Sequence, residues 1–89
     1  MDISVKDWRR DVQNTRKGYF TLVLYGIEIR SCILHKHQSG SIWVAYPAVN
    51  YAVDGPPKFA SAVVITDDRL KEAIRARVTE LLGPGVAND

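Results

Sequence analysis

The chain has 89 residues, of which 46% are apolar, so it has room for one small domain with a single hydrophobic core. Its net charge is only +2, but residues 1–40 hold seven Lys and Arg against four Asp and Glu, so the N-terminal part is the basic one. A single cysteine excludes an internal disulfide and fits a reducing compartment. The first residues show no signal-peptide pattern, and no apolar run approaches the roughly 20 residues of a membrane helix. We therefore expect one cytoplasmic domain with no membrane partner.

Alternating apolar residues predict β-strands over the first half of the chain. A weak strand starts at Ile3 and can run on to Arg10, and the polar segment from Asp11 to Gly18 is predicted to be a basic loop. In the clear strand that follows, one face is apolar and the other mixed, with Phe20, Leu22 and Leu24 against Tyr19, Thr21, Val23 and Tyr25. Gly26 permits a tight turn into the next strand, which predicts an antiparallel hairpin. The apolar face of that next strand is predicted to hold Ile27, Ile29, Ser31 and Ile33.

The most strand-like stretch runs from Gly40 to Pro47, with Ile42, Val44 and Tyr46 on one side and Ser41, Trp43 and Ala45 on the other. Because extended runs flank it on both sides, we expect this strand to lie inside the sheet. A ten-residue connection from Ala48 to Pro57 follows, and Phe59 to Ile65 alternate as a final strand.

After Ile65 the period changes to that of a helix. The residues at helical spacing form one apolar stripe of Leu70, Ala73, Ile74, Val78, Leu81 and Leu82. Thr66 or Asp67 can cap the N-terminus of this helix, and Gly83-Pro84-Gly85 is predicted to end it. The pattern predicts an α+β fold, in which an antiparallel sheet of four to five strands precedes one C-terminal α-helix. We expect a single domain over residues 1–83 and a flexible tail over residues 84–89.

Several of these segments together resemble the stage V sporulation protein G (SpoVG) family, over about residues 2–82. The similar features are the strand from Tyr19, the hairpin into Ile27-Glu28-Ile29-Arg30, the Gly40–Pro47 segment, Asp54-Gly55, Phe59 and the helix from Asp68 to Leu82. The family consists of small bacterial septation and sporulation regulators that form homodimers and bind DNA and RNA. The resemblance thus implies a homodimeric, SpoVG-like transcription regulator with a nucleic-acid partner. Residues 48–53 differ from the family pattern, because they are mostly apolar where basic residues are typical.

Basic residues with aromatic rings nearby are the main functional signal in the sequence. Lys and Arg neutralise phosphates, and flat rings stack on unpaired bases, each base contributing about 1–3 kcal/mol. The candidate nucleic-acid-binding residues are Arg9, Arg10, Arg16, Lys17, Tyr19, Tyr25, Arg30 and Lys36. The alternative interpretation is a solvated sheet face on which the tyrosines support cross-strand packing.

No set of catalytic residues is visible, since the chain has no Gly-rich phosphate loop and no nucleophile signature. His35 and His37 share one side of a strand, but two ligands are too few for a metal site and Cys32 points the other way. We therefore expect neither an enzyme nor a cofactor nor a small-molecule substrate. Two hypotheses remain: a homodimeric DNA- or RNA-binding regulator, and a protein-interaction module that keeps the fold and uses the apolar segment from Ala48 to Val53.

Overall fold

A computed structural model describes residues 2–86 and shows two antiparallel sheets and one helix. The strands are β1 (Ile3–Gln13), β2 (Arg16–Leu24), β3 (Ile27–Lys36), β4 (Ile42–Ala45), β5 (Ala48–Asn50) and β6 (Phe59–Ser61), and the helix is α1 (Asp68–Val86). β1 to β4 form one sheet in chain order, and β5 pairs with β6 in a separate two-stranded sheet. The predicted α+β class is therefore confirmed. No helix within residues 2–86 is long and apolar enough to cross a membrane.

The core lies between α1 and one face of the four-stranded sheet. Ile74 and Val78 of α1 are fully buried together with Phe20, Leu22 and Leu34. The predicted apolar face of β2 is thus the face that the helix covers. The opposite face carries Tyr19, Thr21 and Val23 of β2, and we call it the open face.

The apolar stripe of α1 is confirmed at most of its predicted positions. Ile74 and Val78 are buried, and Leu70, Ala73 and Leu82 pack against the core at intermediate exposure. Leu81 is the exception, because it is exposed. The carboxylate of Asp67 accepts hydrogen bonds from the backbone N–H of Arg69 at 2.8 Å and of Leu70 at 3.2 Å, so the N-cap is Asp67.

The predicted end of the helix was wrong, because α1 continues through Gly83, Pro84 and Gly85 to Val86. A proline in the last turn removes only the N–H that would bond the carbonyl of Glu80, so the remaining turns hold the helix in place. The predicted tail over residues 84–89 is therefore helical in its first half, and residues 87–89 lie outside the described part of the chain.

The apolar face predicted for β3 was also wrong, since Ile29, Cys32 and Leu34 are buried whereas Ile27 and Ser31 are exposed. The cause is a β-bulge. Phe20 pairs with Cys32 but Leu22 pairs with Ile29, so β3 has one residue more than β2 in this interval. An extra residue reverses the alternation of side chains, which puts positions three apart on the same face.

Three other predicted segments need correction. Residues 11–18 are mostly strand, with a turn only at Asn14 and Thr15, because β1 and β2 form a long hairpin. Within residues 2–86, β4 pairs only with β3 and is an edge strand, since the chain after Pro47 leaves the sheet to form β5. The final strand is only Phe59–Ser61, and Val63 and Ile65 pack against the core outside any strand.

Candidate nucleic-acid interface

Three of the predicted residues meet on the open face. Antiparallel pairing sets Arg9 of β1 opposite Tyr19 of β2, and Arg16 lies near the start of the same strand as Tyr19. The guanidinium carbon of each arginine is 5.2 Å from the centre of the Tyr19 ring. Both contacts are within the range of cation–π interactions. The structure therefore brings two predicted cations together with one predicted aromatic ring.

Arg9 and Arg16 differ in whether their charge is already paired with an acidic residue. Arg16 donates hydrogen bonds to the backbone carbonyl and carboxylate of Asp11 and to the side-chain oxygen of Gln13, and its ion pair with Asp11 measures 3.1 Å. Arg9 forms no ion pair with any residue between 2 and 86. Arg9 is therefore available for a phosphate, whereas Arg16 mainly holds the β1–β2 hairpin and the Tyr19 ring in place.

A second group of charges lies across β2 on the same face. Lys6 and Glu28 pair directly, and this contact raises the pKa of Lys6 and lowers the pKa of Glu28, mainly through the hydrogen bond between them. The guanidinium of Arg30 lies 4.0 Å from Glu28, and its side chain is 79% exposed. Arg30 is thus free to reach a ligand, while the charge of Lys6 is balanced by Glu28.

A stacked pair of rings that we did not predict as a site extends the open face toward β4. Register places Trp43 opposite His35, and the two rings stack with centres 5.0 Å apart and planes 6° apart. His35 Nδ1 is 3.0 Å from the hydroxyl of Thr15. Burial lowers the pKa of His35, and the charge of Arg16 lowers it further, so the ring is neutral at neutral pH. The alternation around Trp43 indicated that it faces away from Ile42 and Val44, but only the β3–β4 register pairs it with His35.

The other predicted residues lie apart from this cluster. Lys17 is buried at 9% exposure, because it sits at an irregularity in β2 where Arg16 pairs with His35 and Gly18 with Leu34. Arg10 pairs with Gly18, and Lys36 pairs with Ile42, both on the side of the sheet that α1 covers. Tyr25 is exposed in the tight turn between β2 and β3, six positions along the chain from Tyr19.

The basic residues of α1 are largely paired within the helix. Lys71 pairs with Asp68, Arg75 with Glu72 and Arg77 with Glu80, each three residues apart. Arg77 also donates a hydrogen bond to the backbone carbonyl of Ile3 at 3.2 Å. The helix is therefore a less favourable phosphate surface than the open face.

The described residues also bear on metal and thiol chemistry. Within residues 2–86 no three His, Cys, Asp or Glu side chains come together as a possible metal site. Cys32 is fully buried, and burial raises the pKa of its thiol to about 11. The thiol is therefore protonated at neutral pH and is a core residue rather than a nucleophile.

Comparisons of the chain with models of known protein families, with curated proteins and with solved structures found no match. The resemblance to the SpoVG family therefore stays a prediction from the sequence.

Proposed function

We propose that this protein is a SpoVG-like regulator that binds DNA or RNA through the open face of its sheet and acts as a homodimer in the bacterial cytoplasm. The observation that carries the proposal is the Arg9–Tyr19 contact, in which an arginine without an ion pair in the described chain rests on an aromatic ring. Regulation would work by occupancy, because a bound dimer blocks or helps another factor on the same nucleic acid.

The open face offers both kinds of contact that nucleic acids need. Arg9 and Arg30 can neutralise phosphates, while the Tyr19 ring and the exposed part of the Trp43 ring can support bases. Two phosphate contacts per protomer make about four per dimer, for which the slope of log affinity against log salt is roughly −2.8 on a single strand. Affinity should then fall about fiftyfold between 50 and 200 mM salt.

Fluorescence anisotropy with labelled single-stranded DNA, duplex DNA and RNA of about 20 nucleotides tests this proposal at these two salt concentrations. Arg9→Ala should weaken binding at 50 mM salt and reduce the salt effect to roughly sevenfold, because it removes two of the four contacts. Arg75→Ala is the matched control, since it removes an equal charge that Glu72 already balances on α1. Binding that ignores salt, or equal losses in the two variants, would contradict the phosphate-contact proposal.

The homodimer is supported by the exposed apolar side chains of the β5–β6 hairpin and its flanks. These are Val49, Tyr51, Val53, Phe59 and Val64, of which Val53 is 94% exposed. A two-stranded sheet alone is only marginally stable in water, and exposed apolar clusters tend to mark protein contacts. We propose that a second copy of the chain covers this surface. Light scattering at micromolar concentration should give the dimer mass for the wild type and the monomer mass for Val53→Ser/Phe59→Ser, and a wild-type monomer would exclude the dimer.

The same hairpin favours a second candidate function, a protein-interaction module that does not bind nucleic acid. In that case a different protein covers the apolar surface. Tyr51→Ser/Val53→Ser should then abolish capture of the partner, and the wild type should show no salt-dependent binding to any of the three nucleic acids. Salt-dependent binding that Arg9→Ala weakens would exclude this second candidate.

A further inference from the structure

A pocket of about 220 Å³ opens on the open face above the middle of β2. It lies between β1 and β3, and its lining includes Asp7, Arg9, Tyr19, Thr21, Arg30 and Ser31. Three of these six residues, Asp7, Thr21 and Ser31, were not predicted to belong to any site, because they come from three strands whose side chains meet only in the folded sheet. The pocket is many times larger than the space that one water molecule needs, so it has room for a small flat group such as a pyrimidine ring.

Two β-bulges form the walls of this pocket. In β1, Lys6 pairs with Thr21 but Arg9 pairs with Tyr19, so the segment around Asp7 has one extra residue. The bulge in β3 described above places Ser31 on the other side of the same part of β2. Asp7 has a φ of 57° and Ser31 a φ of 62°. These values lie in the left-handed region, which glycine favours, asparagine and aspartate tolerate and serine adopts rarely. Bulges and left-handed residues of this kind concentrate at binding sites, where they redirect side chains.

The polar groups that line the pocket favour a base over a phosphate as the bound group. Arg9 of β1 and Arg30 of β3 line the pocket from opposite sides of β2, and each supplies a positive charge that can neutralise a phosphate. The other polar groups are the hydroxyls of Thr21 and Ser31 and the carboxylate of Asp7. A phosphate would be repelled by this carboxylate, whereas an amino group on a base can donate a hydrogen bond to it.

We propose that this pocket binds one unpaired nucleobase that carries an exocyclic amino group, while Arg9 and Arg30 hold the phosphates beside it. The inference rests on the proposed nucleic-acid binding and adds that the ligand is a single strand. A base within a duplex is stacked and paired, so it would have to leave the helix before it could enter the pocket. Stacking on tyrosine rings and arginine planes is the usual way in which proteins hold unpaired bases.

Binding of three labelled 12-nucleotide strands, measured by anisotropy at 50 mM salt, tests the inference. The strands are oligo-dC, oligo-dT and an abasic strand that has the same phosphates without bases, and oligo-rC repeats the first arm with RNA. Oligo-dC should bind roughly five- to 150-fold more tightly than the abasic strand, the range for stacking of one base. It should also bind more tightly than oligo-dT, because thymine has no amino group.

Two substitutions at Ser31 and one at Asp7 test whether the pocket causes the preference for oligo-dC. Ser31→Asn keeps a residue that tolerates positive φ and adds volume to the pocket, so oligo-dC should bind as weakly as the abasic strand. Ser31→Gly is the matched comparison, since it keeps the bulge and leaves the pocket open, and it should bind oligo-dC clearly more tightly than Ser31→Asn does. Asp7→Asn should bring the dC:dT affinity ratio close to one.

The outcomes separate this inference from the proposed function. Equal affinities of the wild type for oligo-dC and the abasic strand, together with a salt effect, would overturn the base pocket and leave phosphate binding in place. Loss of oligo-dC binding in both Ser31 variants would also overturn it, because an open and a filled pocket would then behave alike. Absence of salt-dependent binding to every strand would overturn the proposed function and this inference with it. Thermal unfolding of each variant verifies that it is folded under the assay conditions.

Discussion

Replacing Gly18 by alanine is expected to destabilise the sheet strongly. A Cβ atom at this position would clash with the backbone carbonyl oxygen of Arg9. It would also lie only 2.6 Å from Cη2 and 2.9 Å from Cζ3 of Trp8, which is closer than van der Waals contact. The carbonyl belongs to β1, which pairs with β2 here, so it can move only if the two strands separate. Adding a methyl group to a tightly packed site costs about 1–3 kcal/mol, and a backbone clash favours the upper half of this range.

The size of the domain makes this loss easy to measure. A chain of this length has a free energy of unfolding of about 4–13 kcal/mol. A loss of about 2–3 kcal/mol should lower the Tm by roughly 10–20 °C, because each kcal/mol shifts the Tm of a domain of this size by about 4–8 °C. It should also lower the midpoint of urea unfolding with little change in its slope.

Urea unfolding followed by tryptophan fluorescence is the assay, since Trp8 covers Gly18 and reports on this contact directly. Gly83→Ala is the matched control, because its Cβ would lie 3.5 Å from Thr79 and 3.7 Å from Ile42, which are ordinary contacts. Alanine in place of a helical glycine should raise the free energy of unfolding by about 0.5–1 kcal/mol. If Gly18→Ala unfolds at the wild-type midpoint while Gly83→Ala behaves as expected, the close packing of β1 on β2 is refuted.

Three further predictions concern stability. Asp67→Ala should lower the free energy of unfolding by about 1 kcal/mol, because two backbone N–H groups of α1 lose their acceptor. Asp67→Asn keeps a side-chain oxygen for these groups, so in thermal unfolding it should be nearly as stable as the wild type. Tyr25→Asn should raise the free energy of unfolding by up to about 1 kcal/mol, because Tyr25 has a φ of 51° that asparagine tolerates better, and an unchanged urea midpoint would count against strain in this turn. The pKa of His35 is lower in the folded chain than in the unfolded chain, so the unfolded chain binds a proton at a higher pH. The free energy of unfolding should therefore fall as the pH drops from above 6.5 toward the pKa of the folded chain. His35→Gln should remove this part of the pH dependence in urea unfolding at a series of pH values, and an identical pH dependence in the variant would contradict the assignment.

Two properties of the fold determine what the open face can do. The helix packs on the side of Phe20, Leu22 and Leu34, so within residues 2–86 no helix covers Arg9, Tyr19 and Arg30 on the other side. The two bulges then interrupt the regular sheet around the middle of β2 and make a concave surface out of a flat one. A flat, fully paired sheet with the same residues would offer charge and stacking, but it would have no pocket for a base.

Local patterns in the sequence were sufficient to predict the elements that depend on near neighbours. The alternation in β2 identified the buried face of Phe20, Leu22 and Leu24, and Gly26 identified the tight turn that follows. The helical spacing of Ile74 and Val78 identified the buried side of α1. These predictions succeed because side-chain period, turn chemistry and capping are properties of short stretches of chain.

Only the tertiary structure determined the register between strands, and with it the candidate site. Whether Ser31 bulges out of β3 depends on how Phe20 and Leu22 pair with Cys32 and Ile29, residues about ten positions away along the chain. The sequence alone therefore specified an α+β chain with cations and rings among its strands. The packing of α1 on one face left Arg9, Tyr19 and Arg30 together on the open face, whereas the irregularity in β2 buried Lys17. Both outcomes depend on how distant strands and the helix pack together, which no short stretch of the sequence contains.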